Sequence, residues 1–414
     1  MNIALFEDAQ VAELCPVTTG RAMFSVTCAG WRLIDLAAHF SSNISVQVRD
    51  YLAPIIAADY PELSVNPESY TTNLWLNARL APTVRNLKTL QSWLSEIGGE
   101  NKRTGLCHSG HLMACFDPDP AKESTAEAID RLREFPSRGY QITEPPLDVV
   151  QSLHDLIRIN EDAFVDNLQY RISRGDYYEI ADGVFSAQKV AWPEHVVADT
   201  HRGPVVLEKG CKVGPFTMLR GPVYIDNHSQ INEHAAIKDF VCVGPHCKIG
   251  GEIEATIIEG FSNKQHHGFL GHSYVGSWVN LGAGTCNSDL KNTYGLVNME
   301  KGESKINTGM QFVGCFVGDY AKTAINTSIF TGKTIGACSM VYGVASKNVA
   351  AFTNSAQIWN RVTEVSPEIM IRTQERMFGR RDKIQRNVDR QLLVDMYKLT
   401  ERDRDGLSCE PLVF

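Results

Sequence analysis

An α/β domain followed by a left-handed parallel β-helix and a C-terminal α-helix is the fold class this sequence predicts, on three observations. Every sixth residue from Val213 onward is aliphatic, residues 1–145 alternate short apolar strands with helical stretches, and apolar residues recur at helical spacing after Ser366. At 414 residues the chain is too long for one compact core, so two domains are the default expectation.

The aliphatic set runs Val213, Leu219, Ile225, Ile231, Ile237, Val243 and Ile249 without a break. Two residues before each stand Cys211, Thr217, Val223, Ser229, Ala235, Val241 and Cys247, all small or β-branched, and Gly, Asn or Asp often follows, as at Gly214, Asp226, Asn232, Gly244 and Gly250. The phase resumes at Val317, Thr323, Ile329, Ile335 and Val341, with Thr323 the weak member. A helix repeats at 3.6 residues and a flat strand at 2, so a strict six calls for short strands joined by tight corners, three to a coil. Stacked coils then bury a continuous apolar column that one coil could not bury alone. A β-sandwich, the alternative, would show alternation with turns at roughly 8 to 12 residues.

The α/β alternation rests on strands at Ile3 to Phe6, Leu74 to Leu76 and Leu112 to Phe116, and on helices at Leu33 to Phe40, Thr83 to Ile97 and Thr125 to Phe135, which together suggest a doubly wound sheet. Pro145-Pro146 breaks the chain, and Val150, Leu153, Ile157, Phe164 and Leu168 then mark a connecting helix. At the far end Ser366-Pro367-Glu368 reads as a helix N-terminus, and Met377, Ile384, Val388, Leu392 and Met396 line one face of a long helix. The expected organisation is 1–145 α/β, 146–200 helical connector, 201–360 β-helix and 361–414 helical tail. The basic cluster Arg372, Arg376, Arg380, Arg381, Lys383 and Arg386 reads as a solvated helix face.

Composition narrows the partners. A net charge of -8 with basic residues spread along the chain leaves no broad cationic surface, so nucleic acid is not expected as a partner. No run approaches the ~20 apolar residues of a membrane helix, and MNIALFEDAQ lacks a signal peptide's pattern, so the expectation is a cytoplasmic protein. The eleven cysteines include no CxxC pair, and several fall at small-residue positions of the repeat; reduced packing thiols are expected, without disulfides or structural zinc.

Chemistry concentrates where the repeat is interrupted. Gly260 to Thr285, followed by a polar excursion from Cys286 to Lys305, places Asn263, Lys264, His266, His267, His272, Asn280, Asn287 and Asp289 near a glycine-rich corner. Here His266 to Gly271 and Val279 to Thr285 match, without a gap, the motif His-Leu-Thr-Tyr-Leu-Gly and Val-Asn-Ile-Gly-Ala-Gly-Thr. The stretch resembles the acetyltransferase half of the bifunctional glucosamine-1-phosphate acetyltransferase / N-acetylglucosamine-1-phosphate uridyltransferase family. It is more similar still to a divergent bacterial branch of that family, over almost the whole chain.

The resemblance implies acetyl-CoA as co-substrate and His266 as general base, because an ammonium must lose a proton before its nitrogen attacks a thioester. It further implies Asn280 with Asn287 or Asp289 holding sugar and phosphate, Lys264 pairing with the phosphate, and backbone N–H groups at Gly282, Ala283 and Gly284 polarising the thioester carbonyl. One departure is Phe269, where the family has a tyrosine. A loop histidine bonded only to backbone is the competing reading for His266. His228 and His246 lie one coil apart and should stack, with His234 on the next face. Three histidines on a β-helix can bind zinc, but all three occupy the third position after an aliphatic residue, which is expected to face solvent. No metal site is assigned there.

In the N-terminal half, Leu14 to Val26 resembles the Leu-x-Pro-Leu-Thr…Pro-Lys segment of sugar-nucleotide pyrophosphorylases, so the α/β domain is expected to be nucleotidyltransferase-like. Their glycine-rich phosphate loop falls on Ala9 to Glu13, where side chains would block the phosphates and Glu13 would repel them. Arg21 is then the remaining basic candidate for phosphate. Glu7 or Asp8 could help hold Mg2+, a cofactor needed only if nucleotidyl transfer is retained.

The reading that results is a homotrimeric acetyl-CoA-dependent N-acetyltransferase acting on an amino-sugar phosphate or nucleotide sugar, with a degenerate N-terminal nucleotidyltransferase site. Two alternatives stand beside it. One is a bifunctional enzyme that also makes UDP-N-acetylglucosamine from UTP and the sugar-1-phosphate, and the other a non-catalytic assembly module that binds a sugar nucleotide.

Overall fold

A computed structural model describes residues 1–97, 102–135, 139–302 and 304–408. Contacts divide the chain into two compact units, one of Met1–Leu14 with Arg21–Asp155 and the other of Cys15–Gly20 with Leu156–Phe414.

In the first unit the strand Ile3–Phe6 pairs in parallel with Ile44–Gln47 on one side and Leu74–Asn77 on the other. All four residues of Ile3–Phe6 are buried, as expected of a strand covered on both faces. The sheet continues through His111–Phe116, which runs antiparallel to both of its neighbours, Leu74–Asn77 and Thr104–His108, so the expected doubly wound sheet is a mixed one. The helices span Leu33–Ala37, Val84–Ile97 and Thr125–Arg133. Ser124 caps the last by accepting from the Glu127 N–H, while the Glu127 carboxylate returns to the Ser124 N–H. The positions Ala9 to Glu13, on which a phosphate loop was expected to fall, lie in a 3-10 helix, Ala9–Leu14.

From Leu156 the second unit comprises the remainder of the helix Leu153–Arg174 and then a left-handed parallel β-helix. The expected connector over 146–200 is thus helical only in that stretch, and Val184–Ser186 already stacks on Val205–Leu207. Three faces recur. The first contains Val205–Leu207, Val223–Ile225 and Val241–Val243; the second Met218–Arg220, Ala236–Ile237, Glu252–Glu254 and Phe269–Gly271; the third Lys212–Val213, Gln230–Ile231, Lys248–Ile249 and Asn263–Lys264. Of the seven predicted aliphatic residues, all but Val213 are fully buried, and Val317, Ile329, Ile335 and Val341 join the same core. Thr323 is buried too, its hydroxyl accepting from the Gly282 N–H at 3.0 Å and meeting Thr285 Oγ1 at 2.7 Å.

The corner histidines stack as expected: His228 on His246 at 5.2 Å, extended by Phe261, Trp278 and Phe378. His234 stacks on Phe216 in a separate ladder. The excursion after Asn287 folds into a hairpin, Asn298–Lys301 with Ser304–Asn307. The expected single long C-terminal helix is two, Pro367–Gly379 and Asn387–Leu399, separated by a turn in which Asp382 takes a left-handed conformation. That break carries the basic residues 380–386 away from a helix face.

Candidate functional site

His266 lies at the corner between the strands Asn263–Lys264 and Phe269–Gly271, and its side chain is exposed. Its carbonyl, not its ring, is tied down, accepting from the Lys264 ammonium. Gly251, with φ +78°, passes beneath; a Cβ there would stand 2.7 Å from that carbonyl, so the corner closes only over glycine. His267 is also exposed, and its carbonyl accepts from the Gly284 N–H at 3.1 Å.

Lys264 was expected to face a phosphate, but it points into the coil. Its strand partner is Ile249, it is 2% exposed, and its ammonium donates to the carbonyls of Gly250 and His266. Burial pulls its pKa down to about 8. Asn287 is a second correction. It is 5% exposed, accepts from the Gly271 N–H at 2.8 Å and donates to the Gly271 carbonyl at 2.9 Å, so its amide completes the wall and is spent there. Asp289 is half-buried and bonds His272 Nδ1 through one carboxylate oxygen.

Two of the three backbone donors assigned to the thioester are also spent: Gly282 N–H donates to Thr323 Oγ1 and Gly284 N–H to the His267 carbonyl. Ala283 differs. Its corner position corresponds to Pro215 and Pro245 in earlier coils, and its N–H has no partner among the described residues. Asn280 is exposed on the third face, bridging Asn263 and Lys322. Asn263 donates to Asn280 Oδ1 at 3.5 Å and accepts from Arg381 Nη2 at 2.6 Å. Arg381 therefore leaves the solvated cluster in which it was placed and reaches the same face as Asn280.

On the second face, Arg220 and Lys238, which carried no role in the sequence reading, bond Asp239 and Glu252. Their spacing of one coil was the signal that could have found them. His272 joins Glu161 at 3.3 Å and Asp289 at 2.8 Å, with Phe312 stacked on its ring. Burial disfavours its charge, but hydrogen bonds to Asp289 and Glu161 outweigh that and raise its pKa to about 9. It is an imidazolium at neutral pH and no general base.

The N-terminal unit holds a cavity of about 490 Å³ at the carboxyl ends of the strands Ile3–Phe6, Ile44–Gln47 and Leu74–Asn77. Glu7 and Asp8 line it, already engaged. Glu7 accepts from the Met23 and Arg49 backbone N–H groups and from the Arg49 guanidinium; Asp8 pairs with the buried Arg79 and accepts from Asn77. Mg2+ needs free hard oxygens in octahedral array, and these carboxylates are turned to guanidinium groups, so they do not fit the ion. Arg49 and Arg133 line the cavity and Arg21 does not, so they displace it as the basic groups there. The Arg21 carbonyl accepts from Arg49.

Residues 3–174 match the family model of sugar nucleotidyl transferases. The chain is 31% identical over 150 residues to a bifunctional sugar-1-phosphate nucleotidylyltransferase/acetyltransferase of Sulfurisphaera tokodaii, covering 36% of this chain and 37% of that protein. It is 25% identical over 301 residues to the bifunctional protein GlmU of Acinetobacter baylyi, covering 65% and 58%. The matches thus span between about a third and three fifths of these relatives' length. Among solved structures, PerB from Caulobacter crescentus with CoA and GDP-perosamine aligns over 52% of this chain and 75% of its own, at 14% identity and a TM-score of 0.14.

Proposed function

We propose that this chain, a divergent relative of the GlmU-like bifunctional nucleotidylyltransferase/acetyltransferase proteins, transfers an acetyl group from acetyl-CoA to the amine of an amino-sugar phosphate or nucleotide amino sugar. One observation carries the reading: within the matching motif, an exposed imidazole, His266, stands on a corner whose backbone is fixed from inside the coil. His266 takes the proton from the substrate ammonium, freeing the nitrogen lone pair for the thioester carbonyl. Ala283 N–H is the donor left to receive the charge that develops on that carbonyl's oxygen. When the tetrahedral centre collapses the thiolate departs and takes up the second proton that the nitrogen sheds on becoming an amide, and no bond to the protein forms at any stage. Asn280 offers an exposed amide to the sugar.

The phosphate cannot be held by Lys264, which is buried; beside Asn280 the basic groups are Arg381 and Lys322, the latter largely covered with its ammonium on the Tyr320 carbonyl. Among the described residues no helix is long and apolar enough to cross a membrane, in keeping with a proposed cytoplasmic location. Assembly as a trimer is proposed as well, supported by the outward apolar residues Val197 and Met218, paired on the second face and exposed. For the N-terminal cavity the reading is ligand binding without nucleotidyl transfer.

The deciding experiment is a product assay with acetyl-CoA and a panel of amino-sugar phosphates, with and without UTP and Mg2+. An N-acetylated sugar formed independently of UTP is expected. If no amine in the panel is acetylated while UTP is consumed, the transferase reading fails.

A further inference from the structure

The third face carries an outward row that extends beyond Asn280 and Arg381, the groups already proposed to meet sugar and phosphate. Strand pairing sets Lys248 beside Asn263, Asn263 beside Asn280, and Asn280 beside Lys322. Side chains alternate along each short strand. Ile249, Lys264 and Thr323 point inward, so their neighbours Lys248, Asn263 and Lys322 point outward in register. Neighbouring strands lie about 4.8 Å apart, which makes the row from Lys248 to Lys322 roughly 14 Å long.

The turn after the helix Pro367–Gly379 comes down on the middle of this row. Arg381 Nη2 donates to Asn263 Oδ1 at 2.6 Å, and the Lys383 ammonium sits 5.7 Å from the Phe261 ring centroid. Lys248, Lys322, Arg381 and Lys383 form no ion pair among the described residues, whereas Arg220, Lys238, Arg386 and Arg404 elsewhere in the same unit are matched to carboxylates. The segment 380–386 contains one acid, Asp382, which is exposed. The Lys322 ammonium rests on the Tyr320 carbonyl at 2.9 Å, and burial brings its pKa down to about 8. Burial lowers the pKa of His246, and His228, Lys383 and Arg381 push it further the same way against the smaller opposing pull of Asp226.

Cations left without counter-ions, on both ends and above the centre of a polar row, are suited to an extended polyanion. We propose that Lys248, Asn263, Asn280 and Lys322, with Arg381, form a binding site for a pyrophosphate-bearing ligand. The two amides donate to bridging and terminal oxygens between the lysines, and the planar guanidinium of Arg381 closes on one phosphoryl group. A single phosphate would engage one end of the row only. Pyrophosphate is the chemistry shared by the nucleotide half of a coenzyme A thioester and by a nucleotide sugar. The row lies next to the His266 corner, so it deepens the acetyl-transfer reading, while binding itself is independent of that reading.

Calorimetric titration of the full chain with inorganic pyrophosphate, coenzyme A, UDP-N-acetylglucosamine and 4′-phosphopantetheine tests this. Pyrophosphate is expected to bind. Arg381→Ala and Lys322→Met should each weaken binding of the physiological pyrophosphate source by about 10- to 100-fold, the range expected when a charge-assisted contact is lost. Phosphopantetheine, with one phosphate, should be less sensitive to the pair. If the variants weaken coenzyme A alone the row serves the acyl donor, and if UDP-N-acetylglucosamine alone, the acceptor; both support the site. Arg381 is on the surface, so its removal keeps the test interpretable if Lys322→Met destabilises the coil. Unchanged affinity for all four probes in Arg381→Ala, or no binding of pyrophosphate to the wild type at millimolar concentration, overturns the proposal. Loss of binding in variants of a protein that acetylates nothing would refute the transferase and leave the site standing.

Discussion

The buried ammonium of Lys264 donates to the backbone carbonyl of His266, two residues on, and thereby fixes from inside the coil the corner that presents the exposed imidazole. The same ammonium holds Gly250 in the preceding coil at 3.3 Å. A lysine in an aliphatic column costs stability through desolvation of its charge, which is why burial draws its pKa from 10.5 down to about 8.

Replacing Lys264 with Met should therefore separate stability from rate. Between pH 8 and 10.5 the unfolded chain binds more protons at this site than the folded one, so wild-type stability gains from Lys264 as pH rises through that window. Lys264→Met should match or exceed the wild-type Tm at pH 7, with the margin shrinking toward pH 10.5. Its acetyl-transfer rate should nevertheless fall by about 10- to 100-fold, because a corner displaced by even ~1 Å misaligns the base. Calorimetry across pH and steady-state kinetics read the two effects separately.

His272 behaves with the opposite sign. Its folded pKa of about 9 lies above the ordinary 6.5, so the stability it contributes is fully present below pH 6.5 and is lost as pH rises through 9. Burial works against the charge, and the bonds to Asp289 and Glu161 sustain it. Asp289→Asn should bring the imidazole pKa down by more than one unit, followed by NMR titration of the ring. It should also flatten the decline of Tm between pH 6.5 and 9.

The column residues from Val213 to Ile249 could be read from sequence because each coil there is built of three equal hexads. The phase was lost afterwards for a physical reason. The coil from Cys242 to Ile257 is 15 residues long instead of 18, which shifts every later inward position and makes Lys264, by sequence a polar loop residue, the successor of Ile249. Asn287 was misplaced likewise: it pairs with Ile329 across an excursion whose length hides the register. His266 and Asn280 are both exposed, and the short motifs that single them out are local enough to be read without the register of the coils. Arg381 could not be placed, since nothing local says that the chain turns at Asp382 and comes back to Asn263.

The buried amide of Asn287 gives a stability prediction where a substrate contact had been expected. Asn287→Ala would leave the Gly271 N–H without its acceptor in a dry wall, while the Gly271 carbonyl keeps the Ser273 hydroxyl at 2.7 Å. One such orphan costs about 1–3 kcal/mol, and a loss in that range is expected, read as a lower midpoint in urea unfolding. A variant of wild-type stability with a raised KM for the sugar would return Asn287 to the binding site.

The N-terminal cavity should not support nucleotidyl transfer. Glu7 and Asp8 are held by Arg49 and Arg79, and Ala9–Leu14 is a 3-10 helix instead of a glycine-rich loop with free N–H groups. Incubation with UTP, a sugar-1-phosphate and Mg2+ should release no pyrophosphate above background. Release at an enzymatic rate would mean that the two ion pairs open when nucleotide arrives, and the bifunctional reading would then prevail.

The last prediction concerns His266 itself. The side chain is exposed and takes no part in the apolar column, so His266→Ala should fold with a Tm near that of the wild type. Loss of a general base typically costs about 10² to 10⁴ in rate, and a fall of that size is expected in acetyl transfer. The deficit should narrow at high pH, where the substrate amine loses its proton to water and the imidazole is no longer needed. Replacement of His228 or His234, exposed at other corners of the coil, should leave the rate nearly unchanged and serves as the control. If His266→Ala retained full activity, or if activity depended on His228 and His234 and vanished with a chelator, the corner imidazole would not be the base and the chemistry would have to be sought at the coil histidines.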